Sequence, residues 1–172
     1  QVSAAALSGA WTPATRAVIT ASPSNPTGTS IPPEEQAAIA DLCRDRGATL
    51  IADEIYQGLT YGHEPHTVLA HGDAAYVVNS FSKYFQMTGW RVGWLVVPDG
   101  VTRDIEKLAQ NLYICAPTPS QYAALAAFDP DTIAILEERR AELQLRRDAL
   151  LAALPQIGFA VRAVPDGAFY IY

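Results

Sequence analysis

Residues 16–21 read Arg-Ala-Val-Ile-Thr-Ala and residues 49–52 read Thr-Leu-Ile-Ala, and these two short apolar runs decide the fold. Between them, residues 32–35 (Pro-Pro-Glu-Glu) open an amphipathic segment that Gly47 closes. Short β-branched runs bounded by turn residues are typical of buried strands, and proline and acids followed by a closing glycine are typical of a helix. Strand, helix and strand at this spacing predict a parallel pair joined by a crossover helix.

The same patterns continue outward along the chain. Further strands are predicted at 75–79 and 92–97, helices at 101–112, 121–128 and 132–154, and two last strands near 159–164 and 169–172. The expected fold is therefore α/β, with a mostly parallel, doubly wound sheet and the start of a smaller α+β domain. We place a partial large domain at 1–128, and the interdomain helix with the start of the small domain at 129–172. Three aromatic residues are expected in the core: Tyr113, Tyr122 and Phe128.

Composition narrows the function classes. The chain has 172 residues, 49% of them apolar, with a net charge of −6, and its 12 Lys and Arg residues form no basic stripe that would favour nucleic acid as a partner. No apolar run approaches the roughly 20 residues that cross a bilayer. Cys43 and Cys115 show no disulfide pattern. We expect a cytoplasmic protein that binds neither membrane nor nucleic acid.

Polar side chains follow three of the predicted strands. Asn25 follows the first, Asp53 the second, and the run Ser80-Phe81-Ser82-Lys83 the third. Ligands of doubly wound sheets bind outside the carboxyl ends of the parallel strands, so these positions are expected to share one rim. A partly desolvated lysine at such a rim can attack a carbonyl carbon, and an aldehyde cofactor would suit it.

Pyridoxal 5'-phosphate is an aldehyde cofactor whose needs match these residues. It requires an amine, an acid beside its ring nitrogen, hydrogen-bond donors near its phenolic oxygen, and hydroxyls with a cation for its phosphate. Lys83 is the candidate for the catalytic amine, and Asp53 is the candidate for the acid beside the ring nitrogen. Asn25 and Tyr56 are the candidate donors to the phenolic oxygen. The candidates for binding the phosphate are Ser80, Ser82 and Arg91.

Four runs together resemble class I/II pyridoxal-phosphate-dependent aminotransferases of the aspartate aminotransferase fold: 22–28 (Ser-Pro-Ser-Asn-Pro-Thr-Gly), 53–56 (Asp-Glu-Ile-Tyr), 80–83 (Ser-Phe-Ser-Lys) and 89–93 (Gly-Trp-Arg-Val-Gly). The resemblance implies that Lys83 forms the Schiff base and shuttles the proton, and that the other candidates hold the cofactor as assigned above. It implies ping-pong transfer of an amino group from an L-amino acid to a 2-oxo acid, and a homodimer. Residues 165–170 are similar to the family's entry into its small domain, and we expect the chain to be the central portion of a longer enzyme.

Other functions stay open. A pyridoxal-phosphate C–S β-lyase on the same scaffold is the nearest alternative, and the substrate could be aspartate, alanine, an aromatic or a branched amino acid. A non-catalytic nucleotide-binding α/β module is disfavoured because no Gly-rich phosphate-binding turn follows the strands. His63 and His66 lack a third ligand in the sequence, so no metal site is expected.

Overall fold

The computed structural model describes residues 2–172 and contains four strands and five α-helices. The strands are β1 (Ala17–Ala21), β2 (Thr49–Asp53), β3 (Tyr76–Ser80) and β4 (Gly93–Val96); the helices are α1 (Ala4–Ala10), α2 (Pro33–Asp45), α3 (Thr102–Leu112), α4 (Thr118–Ala126) and α5 (Pro130–Ala153). Three 3-10 turns lie at Val68–His71, Thr88–Trp90 and Leu154–Ile157. Every predicted helix and the first four predicted strands are present.

The strands form one sheet in the order β1-β2-β3-β4. The first three are parallel, and β4 runs antiparallel to β3. In this register Ala21 lies beside Asp53, which in turn lies beside Val78. The carboxyl ends of the three parallel strands therefore meet at one edge, and the prediction of an α/β fold with a mostly parallel sheet is confirmed.

Helix α2 covers one face of the sheet. It begins with Pro33 in its first turn and ends shortly before Gly47, whose φ of +63° is one that glycine adopts without strain. Its residues Ile39 and Cys43 pack into a core cluster with Val18, Leu50 and Val77 from the strands. Burial of an aliphatic side chain of this kind stabilises the fold by about 1.5–3 kcal/mol, so this layer holds the strand ends in place.

The other face of the sheet leaves apolar side chains exposed. Ile19 of β1 is 74% exposed and Leu95 of β4 is 43% exposed. The prediction that Tyr113, Tyr122 and Phe128 lie in the core is wrong, since they are 65%, 71% and 58% exposed. Sequence periodicity marks an apolar face but does not say which element covers it.

The two strands predicted near 159–164 and 169–172 are absent from the described residues. This end of the chain instead makes scattered backbone contacts, in which Ala168 N donates to the carbonyl of Leu59 at 2.8 Å and a single bridge joins Thr60 to Gly167. An apolar run forms a strand only where a neighbouring strand supplies a ladder of hydrogen bonds. Over residues 2–172, no helix is both long and apolar enough to cross a membrane.

Candidate functional site

Three loops leave the same edge of the sheet and bring the predicted site residues towards one another. The backbone N–H of Ser22, directly after β1, donates to the carbonyl of Asp53 at 3.1 Å. The N–H of Glu54, directly after β2, donates to the carbonyl of Val78 in β3 at 2.9 Å. The loops after β1 and β2 are thus each tied to the neighbouring strand at the point where they leave the sheet.

Lys83 lies between two aromatic rings. Its Nζ is 5.4 Å from the ring centroid of Tyr56 and 5.6 Å from that of Phe169. Tyr56 is buried, and its ring packs edge-on against Phe169 with centroids 5.4 Å apart. An amine within about 6 Å of an aromatic face makes a favourable cation–π contact when it is charged, so the two rings hold the lysine amine in a defined place.

Tyr170 joins the two residues that were predicted to donate to a phenolic oxygen. Its Oη lies 2.5 Å from Oη of Tyr56, and Nδ2 of Asn25 donates to it at 3.3 Å. The hydrogen bond with Tyr56 and burial raise the pKa of Tyr170, while the charge of Lys83 opposes this shift. The structure therefore brings Asn25, Tyr56 and Lys83 close to one another.

Phe169 and Tyr170 were not among the predicted site residues. They lie far along the chain from Lys83, in a stretch that was predicted to be a strand. The available signal was the pair of aromatic residues directly after Asp166, Gly167 and Ala168, in the run that resembled the family.

Ser80 and Ser82 belong to a second cluster of polar side chains, at the end of β3 and in the turn that follows it. Oγ of Ser80 lies 2.9 Å from Oγ of Ser82 and accepts from the N–H of Ser82 at 3.0 Å. Thr88 Oγ1 donates to the carbonyl of Ser82 at 2.6 Å, and Arg91 Nη1 donates to the carbonyl of Thr88 at 2.9 Å. Arg91 has a left-handed φ of 53° and its side chain is exposed. These contacts set two hydroxyls and a guanidinium along one connected turn.

The consecutive carboxylates Asp53 and Glu54 have different surroundings. Oδ1 of Asp53 accepts from the N–H of Ile55 at 3.1 Å, and its side chain is half-buried. Glu54 is buried, and Oε1 accepts from the N–H of Val68 at 2.8 Å. Burial raises the pKa of Glu54, although hydrogen bonds from Val68 and Thr67 oppose the shift. Within residues 2–172, neither Asp53 nor Arg91 is hydrogen-bonded directly to Lys83.

A cleft of about 490 Å³ lies elsewhere on the surface, lined by residues that include Gln57, His63, His66 and Asp166. None of the seven predicted site residues lines it. Among the described residues, no group of three or more His, Cys, Asp or Glu side chains is placed to hold a metal ion.

Residues 1–172 match the family model described as aminotransferase class I and II. The chain is 49% identical over 162 residues to the valine–pyruvate aminotransferase of Mycobacterium tuberculosis. The match covers 93% of the chain and 42% of that protein. It is 33% identical over 178 residues to an aspartate aminotransferase of Bacillus subtilis, covering 100% of the chain and 45% of that protein.

Solved structures agree with this result. A crystal structure of an aminotransferase from Mycobacterium tuberculosis superposes with a TM-score of 0.92 at 46% identity, covering 98% of the chain and 44% of that structure. The structure of the aspartate aminotransferase of Thermus thermophilus with maleate gives a TM-score of 0.91 at 32% identity, and the match covers 97% of the chain and 44% of that structure. The chain belongs to the class I and II aminotransferase family, and it spans less than half the length of these relatives. Aminotransferases of the aspartate aminotransferase type use pyridoxal phosphate.

Proposed function

We propose that the protein is a pyridoxal-phosphate-dependent aminotransferase that moves an amino group from an L-amino acid to a 2-oxo acid. The observation that carries this proposal is the position of Lys83, whose amine lies beside Tyr56 and Phe169, in a chain of the aminotransferase family. Each relative described above is named an aminotransferase, and none of them favours a lyase or a nucleotide-binding module. The family resemblance supports two half-reactions with ping-pong kinetics.

The donor set fits the cofactor. The hydroxyl of Tyr56 and the amide of Asn25 lie close together on either side of the Tyr170 hydroxyl, and both are donors of the kind that a phenolic oxygen accepts. The Ser80–Ser82 pair and Arg91 offer hydroxyls and a permanent cation, the partners that a phosphate group prefers. Asp53 offers the carboxylate for the ring nitrogen.

When bound, pyridoxal phosphate supplies an electron sink for the negative charge that forms at the substrate's α-carbon. Lys83 would hold the cofactor through its amine and, once released, take up and return the proton at that carbon. Asp53 would keep the ring nitrogen protonated. The relative named valine–pyruvate aminotransferase is 49% identical over the matched region, so valine with pyruvate is our first candidate substrate pair.

The test uses the fact that the chain has two lysines, Lys83 and Lys107. The full-length protein is loaded with pyridoxal phosphate and reduced with borohydride, which makes the lysine linkage permanent, and the modified peptide is identified by mass spectrometry. We expect the label on Lys83, and we expect Lys83→Ala to lose both the label and amino-group transfer. A label that persists in the Lys83→Ala protein would show that the amine was wrongly assigned.

Lys107→Ala is the matched control. Lys107 lies on α3, where its exposed side chain pairs with Asp104 at 3.1 Å. This variant should keep the visible absorbance band, the label and the transfer of the amino group. Asp53→Asn should retain the label but lose most of the transfer rate, because an amide cannot keep the ring nitrogen protonated.

We also propose a cytoplasmic homodimer, divided into a large domain at 1–128 and a second part at 129–172. Helix α4 carries two exposed apolar side chains, Tyr122 and Leu125. Because exposed apolar patches often mark contacts between proteins, they support the packing of another protein surface against this helix. Light scattering on the full-length protein measures the mass, limited proteolysis near residue 128 tests the division, and cell fractionation tests the location.

A further inference from the structure

The hydroxyl of Tyr170 occupies a central position between the two residues proposed to donate to the cofactor's phenolic oxygen. It lies 2.5 Å from Oη of Tyr56 and 3.3 Å from Nδ2 of Asn25. The three side chains come from three separate parts of the chain: the turn after β1, the loop after β2 and the carboxyl-terminal segment. Nothing in the sequence motifs assigns a role to Tyr170.

The number of available protons limits how these groups can bond. An amide nitrogen only donates, so Tyr170 Oη must accept from Asn25. A hydroxyl carries one proton and two lone pairs. If Tyr170 donates the hydrogen bond to Tyr56, the oxygen of Tyr56 is the acceptor, and the hydroxyl proton of Tyr56 stays available for another acceptor. If Tyr56 donates the hydrogen bond to Tyr170, Tyr56 has no hydroxyl proton left for the cofactor.

We propose that Tyr170 is a positioning residue that accepts from Asn25, donates to Tyr56, and so directs the proton of Tyr56 towards the phenolic oxygen of pyridoxal phosphate. This inference rests on the proposed function. A chain of hydrogen bonds polarises each member, and Tyr56 becomes a stronger donor when it accepts from Tyr170. The raised pKa of Tyr170, caused first by its bond to Tyr56, agrees with a hydroxyl that retains its proton.

The proposal has a spectroscopic consequence. When pyridoxal phosphate is bound through Lys83, a strong hydrogen-bond donor on its phenolic oxygen would withdraw electron density from the cofactor, and the linking nitrogen would hold its proton less tightly. Loss of the Tyr170 hydroxyl should therefore raise the pH midpoint at which the visible band changes, by about 0.3–0.6 pH units, since cooperative strengthening is a fraction of one charged hydrogen bond.

The experiment titrates the visible absorbance of the full-length protein loaded with pyridoxal phosphate, as wild type and as Tyr170→Phe. Tyr61→Phe is the matched control, because Tyr61 Oη donates to the carbonyl of Ala168 at 2.6 Å, two residues before Tyr170. Both variants lose one tyrosine hydroxyl from the same region. We expect Tyr170→Phe to raise the midpoint and Tyr61→Phe to leave it unchanged, and urea unfolding of the cofactor-free proteins reports any general loss of stability.

A double variant separates action through Tyr56 from a direct effect. Tyr56→Phe should raise the midpoint by itself, and adding Tyr170→Phe to it should raise it no further. The inference is overturned by equal midpoints in wild type and Tyr170→Phe, by an equal shift in Tyr61→Phe, or by a full additional shift in the double variant. A wild-type protein with no lysine-linked visible band would overturn the proposed function together with this inference.

Discussion

The hydroxyl of Tyr84 donates a hydrogen bond of 2.6 Å to Oε1 of Glu137, and this contact ties the residue directly after Lys83 to helix α5. The second oxygen of Glu137 accepts from Nε of Arg140 at 2.7 Å. Nη1 of the same arginine donates to the carbonyl of Thr60 at 3.0 Å. The loop that carries Lys83, the long helix and the segment after β2 are therefore joined through one group of polar contacts.

Tyr84→Phe should destabilise the protein. The variant keeps the ring but removes the bond to a half-exposed carboxylate, for which we expect a loss of about 1 kcal/mol in the free energy of unfolding. Urea unfolding near neutral pH measures the loss. Tyr122→Phe is the control, because Tyr122 is 71% exposed and should change stability by less than about 0.5 kcal/mol. Equal stabilities for the two variants would contradict the structural role of the Tyr84 hydroxyl.

The contribution of Tyr84 to stability should depend on pH. Burial, followed by the hydrogen bond to Glu137, raises the pKa of Tyr84 in the folded protein to about 12. In the unfolded chain the pKa of a tyrosine is about 10. Between these values the unfolded state loses its proton first, so rising pH favours unfolding. The stability is fully present below about pH 10 and is lost towards about pH 12.

The measurement compares wild type with Tyr84→Phe across this interval. We expect the difference in unfolding free energy between them to shrink as the pH rises, since phenylalanine has no proton to lose. A difference that stays constant up to about pH 11.5 would show that the folded and unfolded states ionise together at this position.

Short-range patterns predicted the sheet well. The β-branched runs of β1 to β4 lie between turn residues, and α5 carries a long amphipathic pattern, so their positions were predicted to within a few residues. Asn25, Asp53 and Lys83 could be placed at one edge because parallel strands share the direction in which they end.

The contacts that complete the site depend on tertiary packing. Tyr170 meets Tyr56 across 114 positions of sequence, a separation far beyond the reach of any local pattern. The same reason explains why 169–172 was wrongly predicted as a strand: Phe169 and Tyr170 pack on Tyr56 instead of extending a ladder. Tyr84 gave no signal either, because its partner Glu137 reads as an ordinary charged residue on a helix.

Gly58→Ala should disturb the packing of Tyr84. Gly58 has a φ of +89°, and a Cβ there would lie 2.7 Å from Cδ2 of the Tyr84 ring. Gly62→Ala is a close control, because Gly62 has a φ of +83° and open space around the added methyl group. Both variants carry the backbone strain, of about 1–3 kcal/mol, and Gly58→Ala should cost roughly 2 kcal/mol more from the steric overlap.

Urea unfolding of both glycine variants checks this difference. In a Tyr84→Ala background the ring is absent and only the Cβ of residue 84, 3.3 Å away, remains, so most of the additional cost of Gly58→Ala over Gly62→Ala should disappear. If the additional cost survives in that background, the overlap with Tyr84 is not its cause.

The contact between His66 and His71 should make stability fall in mild acid. Their Nε2 atoms lie 2.8 Å apart, so one ring donates and the other accepts. Burial, followed by the charge of His71, lowers the pKa of His66. As the pH falls below about 6.5, the unfolded chain therefore takes up a proton before the folded chain does. The stability is present above that pH and is lost as the pH falls through the lowered pKa.

His66→Gln removes the titrating group, and we expect the unfolding free energy to depend less on pH between about pH 7.5 and about pH 5.5 than in wild type. His63→Gln is the control on the same loop, where Asp166 rather than a second imidazole faces the ring, with His63 Nε2 3.8 Å from Asp166 Oδ2. The carbonyl of His66 accepts from Nε2 of Gln57, the neighbour of Tyr56, at 2.5 Å, so loosening of this loop would reach the candidate site. We expect His63→Gln to keep the pH dependence of wild type, and equal pH dependence in wild type and His66→Gln would show that the histidine pair is not the acid-sensitive group.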